Sequence, residues 1–94
     1  MDKNTVTKSV IDVLKKIQII SGRGEAPITE DTCPIGGLEN FDSLNGVEAT
    51  IELSDEFDVD LSVINGFVDA KSSKPLTVSE VAEHICQIKN GKDS

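Results

Sequence analysis

Val6, Val10, Val13, Ile17 and Ile20 recur at the spacing of one helical face, while Lys8, Asp12, Lys15 and Lys16 fall off it. The pattern predicts a first helix over residues 5–20, stopped by Ser21-Gly22-Arg23-Gly24. A second two-sided stretch spans residues 43–57. Leu44, Val47, Thr50, Ile51, Leu53 and Phe57 share a broad apolar arc, and Glu48, Glu52, Asp55 and Glu56 take the complementary one. Gly46 in the first turn of this helix lowers its propensity by roughly 1 kcal/mol against Ala, which predicts that the start of the helix is its mobile end. Thr77-Val78-Ser79-Glu80 has capping-box spacing. A last helix begins there, with Val78, Val81, Ala82, Ile85 and Ile88 as its inner stripe, and ends before Asn90-Gly91. Pro75 separates it from what precedes.

The connections are uneven. Residues 21–42 form a long irregular segment punctuated by Pro27, Pro34, Gly36 and Gly37, but Ile28, Ile35, Leu38 and Phe41 predict that it is pinned to the helices rather than free. From Val59 to Val68 the apolar residues are interrupted by Asn65-Gly66, which allows at most a short helix or a turn. The expected fold is all-α: a single domain over residues 1–94, built as a small four-helix bundle of three principal helices and one short one, with a long loop between helices one and two.

The chain has 94 residues and a formal charge of −8, with Phe41, Phe57 and Phe67 its only aromatic residues. The core must therefore rest on Val, Ile and Leu. An acidic balance argues against an unaided nucleic-acid or anionic-membrane surface and favours partners with basic patches. No apolar run is long enough to span a bilayer, and residues 1–5 lack the apolar stretch of a secretion signal. A cytoplasmic, monomeric protein with no membrane contact is expected, and Cys33 and Cys86 are expected to be reduced. His84 and Cys86 fall short of zinc-site spacing. Asp55, Glu56, Asp58 and Asp60 lack the order of a calcium loop, so a solvated acidic surface is expected and no metal site. One histidine, no visible nucleophile–base pair and no glycine-rich phosphate loop leave no catalytic residues to assign. Glu48 and Glu52, at helical spacing on the polar face, are surface charges and not an acid–base pair.

Asp42-Ser43-Leu44 carries the candidate chemistry. Ser43 opens the second helix, where unpaired backbone N–H groups and the helix dipole favour a phosphate ester. Continued through Asn45-Gly46-Val47-Glu48 to Leu53-Ser54-Asp55-Glu56-Phe57-Asp58-Val59, and joined later by Pro75-Leu76-Thr77-Val78-Ser79-Glu80, this stretch resembles the acyl carrier protein family over essentially the whole chain. The resemblance implies a non-enzymatic carrier whose Ser43, between Asp42 and Leu44, bears covalent 4′-phosphopantetheine. The arm would hold acyl or aminoacyl cargo as a thioester, in fatty-acid, polyketide or nonribosomal-peptide synthesis. It implies as partners a phosphopantetheinyl transferase, a loading enzyme and synthase components with basic patches. These would read Leu44, Val47, Glu48, Ile51, Glu52, Asp55 and Glu56.

The chain departs from the family pattern in places. Asn40 stands where a glycine is common before Asp-Ser-Leu, Asn45 and Gly46 thin the negative charge after the serine, and the loop through Cys33-Pro34-Ile35-Gly36-Gly37 is unlike the commonest form. These differences point to a specialised carrier rather than a housekeeping one. The competing reading is an unmodified acidic interaction module that uses the second helix only for docking.

Overall fold

The computed structural model describes residues 2–20, 28–37, 41 and 43–90, with the backbone alone at Ser43 and Asn90. Three long helices, α1 (Lys3–Ile20), α3 (Ser43–Phe57) and α4 (Val78–Asn90), enclose the core, and two short elements join them: α2 (Pro34–Gly37) and a 3₁₀ helix (Ser62–Phe67). The fold is all-α. Among the described residues there is no strand, only an isolated antiparallel bridge between Val68 and Pro75.

The short fourth member of the bundle is thus a 3₁₀ helix, and α2 is a single kinked turn inside the long loop that the periodicity gave no sign of. α1 begins before Thr5 because the Asp2 carbonyl accepts the Val6 N–H at 3.1 Å and the Asp2 carboxylate accepts the Thr5 hydroxyl at 3.4 Å. α4 includes Asn90 rather than stopping short of it.

Val6, Val10, Leu14, Leu53, Phe67, Val78, Val81 and Ile85 are the deeply buried residues around which the helices close. Two members of the expected inner stripes are not in this core: Ile20 is 75% exposed and Ile88 38%. Each sits at the end of its helix, where the stripe outruns the neighbour it packs on.

The long loop is anchored, as its apolar residues predict. Ile28 and Phe41 are buried and Ile35 packs against the core; Leu38 lies outside the described residues. The loop also caps α4. The Thr32 and Glu30 carbonyls accept the N–H groups of Val78 and Ser79 at 2.9 and 2.8 Å. The predicted capping box supplies the rest: the Thr77 N–H donates to Glu80 Oε1 at 2.8 Å, and the Glu80 N–H to Thr77 Oγ1 at 3.2 Å. The first N–H groups of this helix, ordinarily left without partners, are satisfied by side chains and by chain far away in sequence.

At its other end α3 closes on Asp58, whose φ of +55° places it in the left-handed region. The Val59 N–H then donates to the Ser54 carbonyl at 3.1 Å, the wide bond of a Schellman ending, and the Ser54 hydroxyl donates to the Val59 carbonyl.

The tightest packing lies between α3 and the 3₁₀ helix. Asn65 (φ −59°, ψ 131°) and Gly66 (φ 78°, ψ 14°) have the dihedrals of a type II turn, which asks for glycine at its second central position. The turn lays its backbone on Gly46: a Cβ there would stand 2.4 Å from the Gly66 carbonyl oxygen and 2.8 Å from its carbon. Gly46 is buried, so it is a point of backbone contact and not the loose start of the helix. Phe67 follows with φ +63° and is fully buried. A bulky residue rarely adopts that conformation, and such strain, of order 1–3 kcal/mol, persists only where the surroundings over-determine it.

Gly46→Ala should therefore lower stability by about 1–3 kcal/mol, the usual cost of overpacking, although Ala is the better helix former by roughly 1 kcal/mol. Urea unfolding of the two proteins checks the sign. A variant as stable as the parent would mean that the two backbones separate without cost.

Candidate functional site

Ser43 is the first residue of α3, and no acidic residue occupies the first turn of that helix. Asp42 and Asn40, both part of the expected motif, lie outside the described residues. Leu44 is 76% exposed and Ile51, two turns further, 57%. Glu48 and Asp55 are exposed between and beyond them, and all four fall on one outward stripe at helical spacing. Val63, on the neighbouring 3₁₀ helix, is also exposed.

The broad apolar arc of the second helix is thus divided. Ala49, Leu53 and Phe57 are buried with Gly46 and Thr50, Val47 is half-buried, and Leu44 and Ile51 turn to solvent. At Gly46 the backbone of Gly66 comes close against the helix. That rotates the buried face away from the two large aliphatic side chains at the edge of the arc.

The acidic residues divide as well. Glu52 is partly buried and accepts Lys16 Nζ of α1 at 2.6 Å. With Glu56, Asp12 and Ser9 it lines the seam between α1 and α3. Glu48 and Asp55 lie on the open stripe instead. Of the expected docking residues, the structure brings Leu44, Glu48, Ile51 and Asp55 together, and turns Glu52 and Glu56 toward α1.

On the opposite side, Thr50, Ile51, Ser54, Asp60, Leu61, Ser62 and Asn65 line an open groove of about 210 Å³ between α3 and the segment leading to the 3₁₀ helix. Beside it the buried Thr50 hydroxyl ties α3 to the Asn65-Gly66 turn. That group has one proton for the Val47 carbonyl at 2.8 Å, Asn65 Oδ1 at 2.9 Å and the Gly46 carbonyl at 3.2 Å, and it accepts the Gly66 N–H at 3.4 Å. On the wheel Thr50 counts only as a member of the apolar arc. The signal for its polar role was Asn65-Gly66, a turn that must rest on something.

At the groove's rim Asp60 Oδ1 accepts the Ser62 N–H at 3.0 Å, which holds the Asp60 carboxyl below its ordinary range. The Lys71 N–H does the same for Asp69, at 2.9 Å.

Cys33 is half-buried, Cys86 buried, and neither is in a disulfide. Burial raises both thiols above their usual range, so neither is activated as a nucleophile. Among the described residues no group of three or more His, Cys, Asp or Glu is placed to hold a metal ion, and no helix is long and apolar enough to cross a membrane. Comparison of the chain with protein families, with curated proteins and with solved structures finds no match.

Asp60 and Asp69 tie stability to pH. Each has a folded-state pKa below its unfolded one, so its contribution is complete above the unfolded carboxylate pKa and disappears as the pH falls through the folded value. Asp60→Ala and Asp69→Ala should each lower the urea midpoint near neutral pH and converge with the parent in acid. A deficit that stays constant with pH would separate these contacts from the carboxylate charge.

Proposed function

We propose that this chain is an acyl-carrier-type protein, modified at Ser43 with 4′-phosphopantetheine and addressed to partner enzymes by the outward stripe of α3. The observation that carries the proposal is the position of Ser43. It opens a fifteen-residue helix with no acidic residue in the first turn, directly before the exposed Leu44, so a phosphodiester there would meet helix N–H groups and an open approach. When bound, the arm supplies a terminal thiol that holds cargo as a thioester.

The chain's own residues do the positioning. The first turn of α3 orients the phosphodiester, Leu44 and Ile51 give a partner an apolar foothold, and Glu48 and Asp55 steer a basic patch toward it. Rim charges of this kind act mainly on association rate and its salt dependence. Glu52 contributes less as an address, because Lys16 already occupies it.

The cargo held on the arm is an acyl or aminoacyl unit, to which the groove beside α3 offers both aliphatic side chains, Ile51 and Leu61, and polar ones, Ser54, Asp60 and Ser62. The expected partners are a phosphopantetheinyl transferase, a loading enzyme and synthase components bearing basic patches.

Incubation with a phosphopantetheinyl transferase and coenzyme A, followed by intact-mass measurement, tests the assignment. The parent should gain the mass of the arm and Ser43→Ala should not. No gain by the parent would leave the unmodified acidic interaction module.

A second experiment separates the two acidic subsets. Glu48→Lys or Asp55→Lys should slow arm transfer at low salt far more than Glu56→Lys or Asp12→Lys, and the difference should shrink as salt is added. Equal rates across the four variants, at equal helicity by circular dichroism, would sink the docking stripe while leaving Ser43 in place.

A further inference from the structure

The chain contains three Asn-Gly pairs, at Asn45-Gly46, Asn65-Gly66 and Asn90-Gly91. Asparagine before glycine is open to a particular self-modification. The glycine amide nitrogen, after losing its proton, attacks the asparagine Cγ; the new N–C bond closes a succinimide ring and the side-chain nitrogen leaves as ammonia. Water then opens the ring at one of its two carbonyls, giving aspartate or isoaspartate. The missing Cβ of glycine removes the steric obstacle to closure, and the reaction needs a free following N–H and a backbone able to rotate.

We propose that Asn65 is a deamidation site held closed by the seat of its turn on α3, with Thr50 as the latch. Asn65 is exposed to water while Gly66 behind it is buried. The Gly66 N–H, which must lose its proton and turn onto Cγ, instead donates to Thr50 Oγ1 at 3.4 Å. Asn65 Oδ1, part of the group that would be attacked, lies 2.9 Å from the same hydroxyl. The Gly66 carbonyl cannot swing toward α3, since Gly46 lies against it at a distance where even one added carbon would clash. Asn45 lies inside the first turn of α3, where the helix fixes its backbone.

Ring closure at Asn65 consequently waits on the turn lifting from α3. Its product works against reseating: isoaspartate lengthens the main chain of the turn by one carbon, and either product adds a negative charge beside Asp60. The site converts a transient opening of the contact between α3 and the 3₁₀ helix into a permanent change. This inference does not depend on modification of Ser43.

The test is the rate of amide-to-acid conversion at Asn65 during incubation at mildly alkaline pH, read by peptide mapping that separates aspartate from isoaspartate. The reference is a synthetic peptide spanning residues 61–69 in the same buffer. In the full chain Asn65 should convert at least about tenfold more slowly than in the peptide, the ratio that a local opening free energy of ~1.4 kcal/mol produces. Thr50→Val should close most of that gap and Thr50→Ser should restore it, both at unchanged helicity. Equal rates in the parent chain and the peptide would overturn the proposal even if Thr50→Val failed to fold, and a folded Thr50→Val that stays protected would remove Thr50 as the latch.

Discussion

Two stretches of backbone can meet at contact distance only where neither side chain intervenes, and in this protein that meeting is Gly46 of α3 against the Gly66 carbonyl. Much of the architecture around α3 follows from it. The contact requires a turn that presents its carbonyl, hence Asn65-Gly66 in type II geometry. The turn in turn needs a polar seat, which Thr50 supplies from one helical turn beyond Gly46. Once α3 is committed to this face, Leu44 and Ile51 have no core to enter and remain in solvent. A helix face chosen by the contact at Gly46 thus creates the exposed apolar stripe next to Ser43.

The long loop solves a different problem. Thr77 receives the N–H groups of Glu80 and Val81, but those of Val78 and Ser79 have no such neighbour in sequence, and a helix start left partly bare inside a packed protein is costly. Thr32 and Glu30 bring two carbonyls to it, while Ile28 and Phe41 hold that part of the chain by burial. The loop is long because it must leave α1, reach α4 and return to the start of α3. Residues 28–32 are a piece of α4's capping as much as a connection, which accounts for a long irregular segment in so small a fold.

The three long helices were legible because their stripes are long and regular and because Thr77 and Glu80 spell out a cap locally. The pinning of the loop was legible at Ile28, Ile35 and Phe41 for the same reason, apolar residues with no other destination. What could not be read was the tertiary meaning of residues with little side chain. Glycine in a helix scores as a loss of propensity, and only a second backbone lying against Gly46 turns that loss into a requirement. Thr50 was ambiguous in the same way, since one methyl and one hydroxyl suit either a greasy arc or a hydrogen-bonded seat. The candidate site was legible as residues and not as a surface: nothing local to Glu52 announces that Lys16, on another helix, holds it.

That ion pair bears on how an acidic surface can discriminate. Lys16 and Glu52 are both substantially solvated, and such pairs contribute little to stability, typically under ~1 kcal/mol. Their larger effect is on the pattern of charge. Lys16 offsets Glu52 in the seam between α1 and α3, where Asp12 and Glu56 also stand, whereas Glu48 and Asp55 are interleaved with the exposed Leu44 and Ile51. A partner attracted only by net charge could settle anywhere on a chain of −8, but one that must also bury two aliphatic side chains has a single strip on α3 where both demands are met. On the proposed reading, charge would bring partners to the molecule at long range and the apolar pair would fix where they stop, so orientation relative to Ser43 would be set by Leu44 and Ile51 rather than by the number of acidic residues.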